Sequence, residues 1–203
     1  MGPETESPLI ITDKEGTLND YRSRRAECWK VVTGEDYKGD IMKLDIEDTL
    51  SADKLEIYLR LFHSEKGAFT RLDTPLADAA EVLTYFQIGR GLKVVYLTGA
   101  LSGSCGEGIQ DTINWLRDNR FPIPDNREVY LYTRKGPQQS DLESKRADMI
   151  HILEKGRPIV GIGDKPTDAI VYTENDIPAL SFVHPRWEDR KADYPSDTIF
   201  VRD

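Results

Sequence analysis

Leu9-Ile10-Ile11-Thr12-Asp13-Lys14-Glu15-Gly16-Thr17-Leu18 is an apolar run that stops at a carboxylate and turns on a glycine. Three consecutive aliphatic residues, two of them β-branched, lie between Pro8 and Gly16 and read as a short buried strand. The strand delivers Asp13 to its C-terminal end. In an open parallel α/β sheet, ligands bind in the crevice outside the carboxyl ends of the strands, so an acid there stands where chemistry is usually done. An acid at a strand end also serves as a helix cap or turn former, and the rest of the chain has to decide between the two.

Two later stretches repeat the pattern. Lys93-Val94-Val95-Tyr96-Leu97-Thr98-Gly99 ends in a hydroxyl and a glycine, and Pro158-Ile159-Val160-Gly161-Ile162-Gly163-Asp164 ends in an acid. Each is flanked by helix-like sequence, as parallel βαβ units require. In this order the motifs resemble those of the haloacid dehalogenase (HAD) superfamily of phosphohydrolases. The first motif, Asp-x-Asp-x-Thr, is matched by Asp13-Lys14-Glu15-Gly16-Thr17, with Glu15 in place of the second Asp. The second, a Thr or Ser after a hydrophobic strand, is matched by Thr98, and the fourth, Gly-Asp-x-x-x-Asp, by Gly163 to Asp168. The third is a lysine opening a later helix. Lys145 and Lys135 are both candidates, and the family's placement favours Lys145.

The resemblance implies a fold class: α/β, a Rossmann-like three-layer parallel sheet (HAD-like core) with a small helical cap insertion. Residues 1–19 and 74–203 form the expected core. Residues 20–73 form a small helical cap or an elaborated crossover, with helices expected over Tyr21 to Val32 and Ser51 to Phe62, the latter capped by Ser51. Pro75 suits the first turn of a helix running to Phe86. Gly99 to Gly108, with its glycines and serines, reads as a loop hung from the Thr98 strand, either a phosphate or substrate loop built on backbone N–H donors or a plain connector. Helices are expected from Ile109 to Asn119, with Trp115 and Leu116 as packing, and from Ser144 to Leu153. Further strands are expected over Arg127 to Thr133, Ala179 to Val183 and Thr198 to Val201. His184 and Trp187 fall in a Pro-containing loop, where a structural role outweighs contact with substrate.

Bulk properties bound the function. The chain has 203 residues, enough for one domain with a small insertion. A formal net charge of -9 argues against a broad nucleic-acid footprint, which needs a basic face. No apolar run is long enough to span a membrane, and no basic-then-apolar amino terminus reads as a signal. Cys28 and Cys105 lie far apart without metal spacing, so a reducing, cytoplasmic location is expected.

Phosphoryl transfer needs a nucleophile, a proton donor for the leaving oxygen, and positive charge on the transferring group. Asp13 is a candidate nucleophile giving an aspartyl-phosphate. Asp164 and Asp168 are expected to converge with Asp13, and carboxylates so placed would repel one another unless a hard cation, Mg²⁺, bound between them. The bland reading of Asp164 and Asp168 is a pair of i,i+4 acids capping a helix. Thr98, with Gly99, would bind a phosphoryl oxygen, and Lys145 would hold Asp13 and phosphate together. The resemblance makes the carbonyl of Glu15 a metal ligand and its carboxyl the general acid and base. The expected activity is a Mg-dependent phosphatase acting on a small phosphorylated substrate. A catalytically impaired binding or regulatory protein on the same fold is the alternative, motivated by Glu15. A metal-free dehalogenase is disfavoured by the Asp164/Asp168 pair.

Overall fold

A computed structural model describes residues 7–63, 69–101, 107–123, 129–134, 140–182 and 190–201. Among them, β1 (Pro8–Thr12), β4 (Lys93–Leu101), β5 (Val129–Arg134), β6 (Arg157–Gly163), β7 (Ala179–Phe182) and β8 (Ile199–Val201) form one sheet in the order β5-β4-β1-β6-β7-β8. Every pairing in it is parallel. The chain leaves β1 towards β4 on one side and returns to β6 on the other, so the order reverses beside β1 and opens a crevice at its carboxyl end.

Strands β1 and β4 are buried on both faces, which is why they read as continuous apolar runs. Val94 and Tyr96 face one side, against Leu83 of α4 (Ala79–Thr84) and Trp115 and Leu116 of α5 (Glu107–Asp118). Val95 and Leu97 face the other, with Leu9 and Ile11, against Met149 and Ile152 of α6 (Asp141–Leu153) and Val171 and Tyr172 of α7 (Pro166–Thr173). Three layers result, as expected.

Between β1 and α4 lie α1 (Arg22–Thr33), α2 (Ile46–Thr49) and α3 (Ala52–Phe62), with apolar clusters of their own around Tyr21, Ile41 and Met42, and around Cys28, Ile46 and Tyr58. The short helix α2 went unread in the sequence although Asp45 caps it, accepting from the amides of Glu47 and Asp48 at 3.1 and 3.3 Å. Ser51 stands at the N-cap of α3 as expected, but its side chain makes no capping bond.

The start of α4 differs from the sequence reading. Thr74 and Pro75 do not open a helix; they form β3, paired antiparallel with β2 (Asn19–Asp20), and the helix begins at Ala79 after Asp78 takes a left-handed φ of 60°. This two-stranded ribbon joins the α1–α3 block to the sheet at both of its ends. Strand β4 is also longer than expected: Gly99 to Leu101 belong to it, with a register shift between Thr98 and Leu101. At the other end of the glycine-rich segment, Glu107 and Gly108 already belong to α5; residues 102–106 lie outside the described residues, as do Lys135, His184 and Trp187. Helix α6 begins at Asp141 instead of Ser144, because Ser140 and Glu143 form a capping box with bonds of 3.2 and 3.1 Å.

Candidate active site

The crevice at the sheet's carboxyl edge assembles the sequence motifs. Asp13 continues the β1 ladder, its amide donating to the Ile162 carbonyl of β6 at 2.8 Å, which places it beside Gly163 and Asp164. Gly16 then turns the chain at a φ of +78°, and a Cβ there would stand 2.3 Å from the Asp164 Oδ2. Only glycine satisfies both the left-handed backbone and that close approach. Gly163 is compressed in the same way, since a Cβ would meet the Asp168 side chain at 2.4 Å.

Asp13, Asp164 and Asp168 present carboxylate oxygens all within 4.8 Å of one another, and all three side chains are buried. The oxygens are not equivalent. Both oxygens of Asp13 and both of Asp164 are buried and without a hydrogen bond. Those of Asp168 are engaged: Oδ2 accepts from the Lys165 amide at 3.1 Å, and Oδ1 makes a short ion pair with Lys145. The capping role considered for Asp168 is therefore real, and it coexists with membership of the carboxylate cluster. Burial, opposed by Lys145 and reinforced by Asp168, pushes the Asp13 carboxyl up to about 7. Burial drives the Asp164 carboxyl well above its usual range too, against the charge of Lys165. Buried carboxylate oxygens of Asp13 and Asp164 that accept no hydrogen bond, of which Asp13 Oδ1 is ion-paired to Lys145 at 3.4 Å, fit the donor set of a hard divalent cation.

Lys145 lies in the second turn of α6, not at its opening, and is 1% exposed. Its Nζ stands 3.4 Å from Asp13 and 3.7 Å from Asp141. Burial would lower its ammonium, but Asp13, Asp141 and Asp168 hold it well above the ordinary lysine range. Sequence reasoning missed Asp141 and Lys165, which face each other at 3.7 Å across the mouth of this cluster.

Glu15 sits in a second buried network. Its Oε1 faces Lys14 at 3.1 Å and Arg24 of α1 at 3.4 Å, and its Oε2 accepts from the Thr98 hydroxyl at 2.5 Å. Lys14 and Arg24 reach Asp73 as well, at 3.2 and 2.9 Å, and Asn19 donates to Asp73 at 2.5 Å. Two cations and two carboxylates thus balance below the α1–α3 block. Lys14 lies 4.6 Å from the centre of the Trp115 ring, whose indole N–H donates to the Asp73 carbonyl at 3.2 Å. Trp115 packs in the core, as its spacing implies, and also roofs this network. Against the penalty of burial, Lys14, Arg24 and the Thr98 hydroxyl hold the Glu15 carboxyl well below the usual range.

A cavity of about 370 Å³ opens onto both networks. Glu15, Gly99, Asp141 and Lys165 line it from the sheet side, and Tyr21, Arg25, Tyr58 and Phe62 from the helical block.

No family model matches the sequence. No curated protein matches it either. Solved structures do. A predicted phosphatase from Clostridium acetobutylicum superposes with a TM-score of 0.70 at 13% identity, covering 98% of this chain and 95% of that one. A haloacid dehalogenase-like hydrolase from Streptococcus pneumoniae gives 0.64 at 16% identity over 96% and 93%. The Mycobacterium tuberculosis Protein Tyrosine Kinase A gives 0.69 at 12% identity over 98% and 94%. Nearly the whole chain therefore shares its α/β fold with these solved structures, a predicted phosphatase and a haloacid dehalogenase-like hydrolase among them.

Proposed function

We propose that this chain is a Mg²⁺-dependent phosphohydrolase of the haloacid dehalogenase superfamily, acting on a small phosphorylated substrate through an aspartyl-phosphate at Asp13. The observation that carries the reading is the convergence of the buried Asp13 and Asp164 carboxylates, whose oxygens accept no hydrogen bond, beside Lys145, which stands 3.4 Å from Asp13. Residues 1–19 and 74–203 serve as the catalytic core and 20–73 as a small cap, hinged at the β2–β3 ribbon.

Asp13 and Asp164 would hold the cation, with the Glu15 carbonyl as the further ligand the motif implies, and the ion would neutralise charge on the phosphoryl oxygens. Asp168 contributes mainly through Lys145 and the α7 cap, because both its oxygens are occupied. One Asp13 oxygen attacks phosphorus as the bond to the ester oxygen breaks, and the leaving oxygen departs as an anion that takes its proton from solvent. Lys145 offsets the negative charge shared by Asp13 and the phosphoryl group. Thr98 reaches a phosphoryl oxygen only by giving up its bond to Glu15, and Gly99 lines the cavity beside it. Held ionised, Glu15 suits the second half-reaction, accepting a proton from the water that cleaves the aspartyl-phosphate, better than protonation of a leaving group in the first.

That same network favours a second reading, a catalytically impaired protein that binds a phosphorylated ligand without turnover, because both Glu15 oxygens are engaged. A panel of phosphomonoesters incubated with Mg²⁺ separates the two. Phosphate release that chelation abolishes supports the enzyme. Saturable binding without release supports the impaired form.

A further inference from the structure

Arg24 and Arg25 are adjacent in α1 and equally buried, at 3% and 2% exposure, yet only Arg24 has carboxylate partners. The Arg25 side chain makes one hydrogen bond, from Nη2 to the Leu44 carbonyl at 2.6 Å, and its Nε is buried without a partner. The Tyr58 hydroxyl is likewise buried and unpartnered, on a residue 3% exposed. Both side chains line the 370 Å³ cavity, on the wall formed by the helical block. The other cations lining it are neutralised: Lys165 faces Asp141 at 3.7 Å, and Arg190 pairs with Asp193 at 2.6 Å. Glu47 also lines the cavity but stands on its exposed side and forms no ion pair with Arg25.

A buried guanidinium without a counter-charge, next to a buried hydroxyl without an acceptor, costs free energy that the folded chain does not recover by itself. An anionic acceptor brought in by a ligand would satisfy both. We propose that Arg25 and Tyr58 form a second anion subsite, which binds a carboxylate or second phosphoryl group on the part of the substrate that is not transferred. The subsite rests on the phosphohydrolase reading, and it narrows the substrate to compact phosphomonoesters with another anionic group. The size follows from the cavity, which is near the lower end of the roughly 300–1,000 Å³ typical of ligand pockets.

The test compares three probes of similar size with Mg²⁺ present: phosphoglycolate, ethanediol bisphosphate, and ethyl phosphate, which lacks the second anion. Wild type should favour one of the first two over ethyl phosphate by about 10- to 100-fold in kcat/KM, as a charge-assisted contact provides, and which one it favours identifies the anion. In Arg25→Met the ratio should collapse towards one, chiefly through KM. Tyr58→Phe should reduce it several-fold, and Arg25→Lys should retain part of it. If Arg25→Met does not fold, the other two variants still decide the matter. Equal ratios in wild type and variants would overturn the subsite. If no probe is hydrolysed, calorimetry with the same three compounds separates the two claims. Binding of an anion-bearing probe that weakens in Arg25→Lys keeps the subsite and rejects the hydrolase; no difference between the probes rejects the subsite.

Discussion

Gly16→Ala probes the geometry on which the carboxylate cluster depends. The backbone at Gly16 has a φ of +78°, and an added Cβ would lie 2.3 Å from the Asp164 Oδ2, where ordinary contact begins at 3.4 Å. A non-glycine residue in this conformation costs about 1–2 kcal/mol, and the shortfall of about 1 Å must be met by moving the loop or the Asp164 carboxylate. At roughly 2–4 °C per kcal/mol for a chain of this length, the melting temperature should fall by about 2–8 °C. The larger effect should be on metal binding, since a carboxylate displaced by that distance no longer shares one point with Asp13. We expect Mg²⁺ affinity, read by calorimetry, to drop about 10- to 100-fold. A Gly16→Ala protein that melts with wild type and binds Mg²⁺ equally well would show that neither the turn nor the approach of Asp164 matters as argued.

Asp164→Ala should abolish Mg²⁺ binding in the same assay while leaving the metal-free melting temperature unchanged or raised, because the buried carboxylate it removes has no partner to lose. Asp13 gives a pH signature. Its carboxyl is raised from 3.8 to about 7 in the folded protein, so across that interval the unfolded chain has released a proton that the native state keeps. The stability Asp13 confers is thus complete below about pH 4 and declines as pH rises towards 7. In metal-free protein the melting-temperature difference, wild type minus Asp13→Asn, should fall over that window, and a flat or rising difference would refute the assignment. Glu15, held ionised, is a poor proton donor, so turnover of aryl phosphates should fall steeply as the leaving phenol becomes more basic. Glu15→Gln should slow the best leaving groups through the second half-reaction, and a rate insensitive to leaving-group basicity would show that Glu15 delivers a proton after all.

The sheet and the catalytic motifs were legible because each is a local signal. β1 and β4 are apolar runs buried on both faces, which is what makes such runs continuous, and β1 and β6 both end in acids although the first half of β6 is partly exposed. The capping box of Ser140 and Glu143 and the Asp45 cap were also present as spacings and went unread, which shifted α6 by a turn and hid α2. The rest was not local. Lys14, Arg24 and Arg25 look like solvated charges in sequence. Their burial depends on Asp73, on Trp115 and on the Leu44 carbonyl, all brought in by the tertiary fold. Pro75 suited a helix start by its own chemistry, and pairing with Asn19 across the β2–β3 ribbon overrode that preference. The engagement of Glu15 by Arg24, nine residues on, likewise has no signature in the first motif itself.

The most direct test of Asp13 as nucleophile is to trap the phosphoryl group on it. Incubation with Mg²⁺ and ³²P-labelled acetyl phosphate, followed by acid quench, should leave label on the protein, and borohydride reduction of a parallel sample, which releases the phosphate and leaves homoserine, should place the reduced side chain at Asp13 by peptide mass analysis. Asp13→Asn should take up no label. Hydrolysis of acetyl phosphate without labelling under single-turnover conditions, or label on any other residue, would contradict the mechanism.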